Sequence, residues 1–251
     1  MGCYLVNTHA VVLRPPIGAS YTHRVSRSLL RMATTASLLC ALVLAEQHRA
    51  VTAEAAPLQS IAVIGDSYTE GSGEGGTGPN SWPQLAQGLL ASEGIGVVAD
   101  VAAEGAAGYG HIGLGGDLFR DLATRVVRPD DALVVFFGSR NDEPVDPVTF
   151  VALAAATLLQ ARLTAPAARF LVIGPLWPIQ EPPLAVLRIR DTLRDLAGLI
   201  GAVFVDPIAE DWFAGRPDLI GKDGIHPNDA GHVYMADKIA PFMYDQLVVQ
   251  V

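Results

Sequence analysis

The amino-acid sequence predicts an α/β domain in which helices cover both faces of a parallel sheet. From residue 57 onward, short apolar runs alternate with longer stretches of helical periodicity, which is typical of such a fold. The runs are hydrophobic at nearly every position, as expected for parallel strands that are buried on both faces. The five predicted strands are 61–64, 97–101, 132–137, 170–173 and 202–205.

Helical periodicity fills the intervals between these strands. A final helix follows the last strand; Asn228 is its predicted N-cap, and Pro241 is expected to break or kink it. In a parallel sheet, functional residues gather in the loops that leave the carboxyl ends of the strands. The predicted helices are about 80–93, 116–127, 148–164, 185–200 and 229–247.

Composition and charge divide the 251-residue chain into two regions, 1–55 and 56–251. The first holds five arginines against two glutamates, a net charge of +3, together with both cysteines. The second holds 12 Lys and Arg against 24 Asp and Glu, a net charge of −12. An acidic domain repels nucleic acid and anionic lipid, so a neutral substrate is the expected partner and nucleic acid is not.

Region 1–55 has the layout of a secretory signal. Three arginines between residues 24 and 31 precede the apolar run 32–45, and Ala53 or Ala55 could end a cleaved segment. The run is shorter than the roughly 20 residues that span a bilayer. We therefore expect export, with an uncleaved membrane anchor through residues 24–45, or a helix packed on the domain, as the alternatives.

The candidate nucleophile is Ser67, in the turn Gly65-Asp66-Ser67 that directly follows the first predicted strand. A serine on such a turn is accessible, and nearby backbone N–H groups can bind an oxyanion. Gly-Asp-Ser alone is weak support, because the same tripeptide caps many ordinary turns.

A serine nucleophile needs a base, and Asp223-Gly224-Ile225-His226 provides a candidate. A carboxylate three residues before an imidazole can fold back to accept the Nδ1 proton, which leaves Nε2 free to face a hydroxyl. His232, on the final helix, is expected to be structural. Taken alone, the pattern Asp-X-X-His more often marks a capping aspartate and a surface loop histidine than a catalytic pair.

Two further strand ends offer donors for an oxyanion: the Gly108 N–H after the second strand and the Asn141 amide after the third. Tyr68 and Tyr109 are expected to line a substrate pocket with the loop 71–79. Arg140 is a candidate contact for a substrate carbonyl or anion, although such a residue more often only faces solvent.

In this order, Ser67, Gly108, Asn141 and Asp223 with His226 resemble the four signature blocks of the SGNH (GDSL-like) hydrolases, from about residue 61 to the last helix. The resemblance implies a flavodoxin-like three-layer α/β/α sandwich of about five parallel strands. It also implies a serine esterase without metal or organic cofactor, acting on short-chain or acetyl esters of glycans or lipids. One departure is Ala103, where the family often has asparagine.

By that resemblance, Ser67 is the nucleophile and the first oxyanion donor, Gly108 is the second donor and Asn141 is the third. Asp223 and His226 complete the catalytic triad.

Two other functions remain as alternatives. Residues 108–113 match the Gly-X-Gly-X-X-Gly pattern after a strand, which suggests a dinucleotide-binding domain. The acidic residue expected at the end of the next strand is missing there, since Phe136 and Phe137 occupy that position. A non-catalytic, carbohydrate-binding relative of the same fold is the second alternative.

Export makes a prediction about the mature chain. If residues 1–55 are a cleaved signal, N-terminal sequencing of protein recovered outside the cytoplasm finds a start close after Ala53 or Ala55. A chain that still begins at Met1 and stays in the cytoplasm contradicts export. One that begins at Met1 and sediments with membranes favours the anchor.

Overall fold

The computed structural model describes residues 58–178 and 181–248. The predicted signal or anchor region lies outside them. Five parallel strands form one sheet in the order β2-β1-β3-β4-β5, which confirms the predicted α/β class and strand number. The strands are β1 (Gln59–Gly65), β2 (Val97–Ala103), β3 (Leu133–Phe137), β4 (Arg169–Ile173) and β5 (Val203–Val205).

Within the described residues, six α-helices connect and follow the strands. The five predicted helices lie within a few residues of their expected bounds. The four-residue helix after β1 was not predicted, because one turn leaves no periodic pattern. The helices are α1 (Ser67–Glu70), α2 (Trp82–Ser92), α3 (Phe119–Val126), α4 (Pro147–Thr164), α5 (Leu184–Ile200) and α6 (Asp229–Val248).

The predicted break at Pro241 is wrong, because α6 continues through it. Pro241 lies on the exposed face of α6, as does Asp237, whose carbonyl loses its intrahelical donor. Water can therefore satisfy that carbonyl. The predicted cap is confirmed, since the Asn228 side chain accepts the Gly231 N–H at 3.0 Å.

Alternate residues of each strand face opposite sides of the sheet, and helices bury both sides. On one side, Ile64 and Phe136 pack with apolar residues of α3, α4 and α5. On the other, Val63 and Phe137 pack with α2 and α6. This three-layer arrangement explains why β1, β3 and β4 are hydrophobic at nearly every position, whereas the edge strand β2 is largely exposed, contrary to the expectation that every strand is buried on both faces.

The sheet order determines which loops are neighbours at the carboxyl ends of the strands. β1 and β3 lie side by side, so the loops after them are neighbours at the carboxyl edge. β5 lies at the far edge, three positions from β1. The connection 206–228 must therefore run back across the ends of β4 and β3 before α6 begins, and it is held by the buried side chains of Trp212, Phe213 and Leu219.

Candidate active site

The turn that carries Ser67 is built by close packing at the end of β1. Asp66 is the N-cap of α1, and its side chain accepts the Tyr68 N–H at 2.9 Å. Ser67 is therefore the first residue of a helix, where its N–H has no intrahelical acceptor. A Cβ on Gly65 would lie 2.1 Å from the Thr69 hydroxyl, so only glycine permits this turn.

The structure brings Ser67, His226 and Asp223 into one hydrogen-bonded chain. Ser67 Oγ lies 3.0 Å from His226 Nε2, and His226 Nδ1 lies 2.6 Å from Asp223 Oδ2. The other Asp223 oxygen accepts the N–H groups of Ile225 and His226, each at 2.9 Å. The spacing of three residues thus gives the fold-back turn that the sequence predicted.

Asp223 is suited to stay ionised beside the imidazole. Its hydrogen bond to His226 lowers the pKa of Asp223 to about 2, helped by the two backbone N–H groups. The side chain is one-third exposed, so water also stabilises its charge. His226 is half-buried against the ring of Tyr68, with centroids 5.9 Å apart. The Tyr68 hydroxyl donates to the Ile225 carbonyl at 3.1 Å, which helps to hold the neighbouring His226 in place.

The loop after α1 is tied to the segment around His226 by carboxylates that accept backbone N–H groups. Glu74 accepts the Lys222 N–H at 2.7 Å, and Asp229 accepts the Gly76 N–H at 2.8 Å. Behind them, the buried His232 accepts the Trp82 N–H through Nδ1 at 3.3 Å. His232 is structural, as predicted, and burial lowers its pKa to about 4.

Asn141 lies beside the turn that carries Ser67, in a 3₁₀ helix that follows β3. Its amide nitrogen is 3.2 Å from Asp66 Oδ2 and 3.0 Å from the Ala107 carbonyl. Asp66 is fully buried, and this burial raises its pKa to about 7. The ends of β1, β2 and β3 are therefore joined at this one amide.

Gly108 is held by a carboxylate that the sequence did not single out. Asp142 is buried and accepts the N–H groups of Tyr109, Gly110 and His111 at 2.7–2.9 Å. A Cβ on Gly108 would lie 2.7 Å from this carboxylate, which explains the glycine. The Gly108 N–H donates to the His111 carbonyl at 2.8 Å, inside its own loop.

Asp142 could have been noticed only as the neighbour of Asn141, since nothing in the spacing pairs it with residues 109–111. Burial raises its pKa, and the three N–H groups oppose that rise.

The prediction that Tyr68 and Tyr109 line a substrate pocket is wrong, because both are buried. Tyr109 packs edge-on against Phe119, with ring centroids 4.9 Å apart, and lies in the same core as Phe136 and Phe150. A tyrosine next to a loop glycine carries no sequence signal that separates these two environments.

Comparison with known proteins agrees with this geometry. Residues 63–234 match the GDSL-like lipase/acylhydrolase family. The GDSL lipase Rv0518 of Mycobacterium tuberculosis is 56% identical over 194 residues, which are 76% of this chain and 84% of that protein. The chain belongs to the GDSL-like lipase/acylhydrolase family. It is thus a hydrolase of the SGNH type.

Solved structures share its fold. TesA superposes with a TM-score of 0.62 at 22% identity, covering 75% of this chain and all of TesA. A lipase/acylhydrolase from Enterococcus faecalis gives 0.60 at 16% identity, covering 75% of this chain and 97% of that one.

The dinucleotide-binding alternative is therefore wrong. The observed strand order is that of flavodoxin-like sheets, not of the dinucleotide-binding fold. In the glycine-rich segment 108–113, the N–H groups of residues 109–111 are bound to Asp142, so they are not free to hold a pyrophosphate.

His232 makes the stability of the domain depend on pH. Its pKa is about 4 in the folded state against 6.5 in the unfolded chain, so only the unfolded chain takes up a proton between these values. This contribution to stability is present above pH 6.5 and is lost as the pH falls toward 4. In urea unfolding, the advantage of wild type over His232→Asn should shrink by about 2 kcal/mol between pH 7 and pH 5.

Asp66 acts with the opposite sign, since its raised pKa favours the folded state as the pH falls below 7. That effect is common to wild type and variant, and it cancels in the comparison. Val233→Ala, at an exposed position of α6 with no titratable group, serves as the control, with a pH-independent difference from wild type. A gap for His232→Asn that stays constant from pH 7 to pH 5 contradicts the assignment.

Proposed function

We propose that the chain is a serine esterase that hydrolyses carboxylic esters through an acyl-enzyme on Ser67. The observation that carries this proposal is the chain of two hydrogen bonds from Ser67 through His226 to Asp223. A hydroxyl within 3.0 Å of an imidazole, whose other nitrogen is held by a carboxylate, is the arrangement that activates a serine.

In the acylation step, His226 Nε2 takes the Ser67 proton while Oγ attacks the ester carbonyl. Asp223 keeps Nδ1 protonated and stabilises the imidazolium as it forms. His226 then gives the proton to the leaving alcohol as the carbon–oxygen bond breaks. Water attacks the acyl-enzyme by the same route, which releases the acid and restores Ser67. Since the base must be neutral, the rate falls in acid.

The oxyanion forms beside the nucleophile, where we assign three donors. The Ser67 N–H is the first of α1 and has no intrahelical acceptor. The Asn141 amide and the Gly108 N–H are bound to the carbonyls of Ala107 and His111. When the oxyanion forms, it takes the place of the Ala107 carbonyl as acceptor for Asn141 and of the His111 carbonyl as acceptor for Gly108.

Substrates of this site are proposed to be short-chain or acetyl esters of glycans or lipids. Ser67 and His226 are half-buried and lie beyond the carboxyl ends of the strands, where a small acyl group can reach the hydroxyl. The relatives are a lipase and a lipase/acylhydrolase, which is consistent with acyl transfer from such esters.

Ser67→Ala tests the nucleophile. The variant should lose about 10⁴-fold or more of kcat on 4-nitrophenyl esters of two to twelve acyl carbons, because no other group forms the acyl-enzyme. A fluorophosphonate should label wild type at Ser67 and leave the variant unlabelled. Ser92→Ala, at the exposed end of α2, is the matched control and keeps full activity. Hydrolysis by Ser67→Ala at the wild-type rate, or none by wild type, refutes the esterase proposal.

Asn141→Ala tests the oxyanion donor. Loss of one donor typically lowers kcat by roughly 10²–10³-fold and leaves KM nearly unchanged, because the bond forms with the charge. The measurement is steady-state kinetics on the best ester of the series, with urea unfolding to check the lost bond to Asp66. A raised KM at normal kcat would instead place Asn141 in ground-state binding.

A further inference from the structure

Arg140 presents a guanidinium beside the nucleophile that the proposed mechanism does not use. Its Cζ lies 4.4 Å above the ring centroid of Trp177, and one of its terminal nitrogens is 3.5 Å from the Tyr68 hydroxyl. Within residues 58–178 and 181–248, no carboxylate lies within 4.0 Å of it. The group is half-buried, so its contacts are an aromatic face and a phenol.

The contacts place Arg140 on the side of the nucleophile that holds the base. It precedes Asn141 at the end of β3 and contacts Tyr68, the residue after Ser67. Tyr68 in turn donates to the Ile225 carbonyl, next to His226. In the proposed mechanism His226 protonates the leaving alcohol, so the alcohol portion of an ester lies on this side.

The chemistry of the guanidinium defines what it can recognise. Arginine carries five N–H donors in a planar fork, and Tyr68 engages one of them. Stacking on an aromatic face fixes the plane and leaves the edge of the fork for a ligand. Carboxylates and phosphates match that edge with two parallel hydrogen bonds.

The negative charge of the rest of the domain limits the range over which the Arg140 guanidinium attracts anions. Residues 56–251 have a net charge of −12, so the overall field repels an anion. An anionic group that binds here does so through short-range contact with Arg140. A competing explanation is that Arg140 only offsets the charge of the buried Asp66, whose carboxylate its own charge stabilises.

We propose that Arg140 and Trp177 form an anion-recognition subsite for the alcohol portion of the substrate. The preferred substrates are then carboxylic esters whose alcohol carries a carboxylate or a phosphate. This inference rests on the proposed esterase function, because it assigns the alcohol side from the role of His226. The reaction is the same acyl transfer to water, and Arg140 acts in binding and orientation.

The test compares two matched pairs of esters by kcat/KM. In the alcohol pair, 3-acetoxybenzoate carries the anion and its methyl ester is neutral. In the acyl pair, mono(4-nitrophenyl) succinate carries the anion and 4-nitrophenyl butyrate is neutral. Wild type should favour 3-acetoxybenzoate over its methyl ester, and Arg140→Gln should lower that ratio about tenfold to hundredfold. The ratio for the acyl pair should stay unchanged.

Two further variants sharpen the result. Trp177→Leu removes the stacking platform and should lower the alcohol-pair ratio in the same direction, which keeps the proposal testable should Arg140→Gln not fold. Arg120→Gln, an exposed arginine on α3, is the matched control and leaves both ratios unchanged. Raising the salt concentration should reduce the wild-type preference, because the attraction is ionic.

Each contrary outcome has a distinct meaning. Equal losses of Arg140→Gln on all four esters overturn the subsite and assign Arg140 to support of Asp66. A changed acyl-pair ratio with a constant alcohol-pair ratio overturns the placement on the alcohol side. Hydrolysis of no ester by wild type refutes the esterase function itself, which separates that failure from failure of the subsite.

Discussion

The hydrogen bond between Ser67 and His226 joins two segments 159 residues apart, and it depends on how the fold brings these segments together. Ser67 follows β1 near the middle of the sheet, whereas the chain leaves the sheet at the edge strand β5. The connection 206–228 therefore crosses two strand ends, and buried Trp212 and Phe213 anchor it on the way. The segment that carries His226 is therefore positioned in large part by packing of these side chains in the core.

Three aspartates around the site show how burial sets the state of one side-chain type. Asp223 is partly exposed and bound to His226, so its pKa is about 2 and it remains ionised. Asp66 is fully buried, and desolvation raises its pKa to about 7, which favours its neutral form. Asp142 is also buried, but three N–H groups compensate its charge. Only Asp223 combines a low pKa with contact to the base, which suits it to stabilise an imidazolium.

Sequence patterns predicted the parts of this structure that depend on local chemistry. Continuous hydrophobicity identified the five strands; burial on both faces requires it in β1, β3 and β4, whereas the edge strand β2 is hydrophobic although largely exposed. The Asp-X-X-His spacing gave the Asp223–His226 bond, since a fold-back turn of that length is local. The bond that ties Asp142 to residues 109–111 had no such pattern, because its partners lie more than 30 residues away and are backbone groups. Likewise, the burial of Tyr109 depends on α3 and α4 packing over it, which no neighbouring residue reveals.

Under the proposed mechanism, the oxyanion donors exchange the bonds that they already make for bonds to the oxyanion. The Asn141 amide donates to the neutral carbonyl of Ala107. Exchanging that bond for one to the neutral carbonyl of a bound ester gains almost nothing. Exchanging it for one to a negatively charged oxygen gains a charge-assisted bond, which is roughly twice as strong. The donor therefore discriminates for the charged transition state over the ground state, and only such a difference raises kcat. The Ser67 N–H lacks an intrahelical partner, and it too binds a negatively charged oxygen more strongly than a neutral carbonyl, so all three donors discriminate for the transition state.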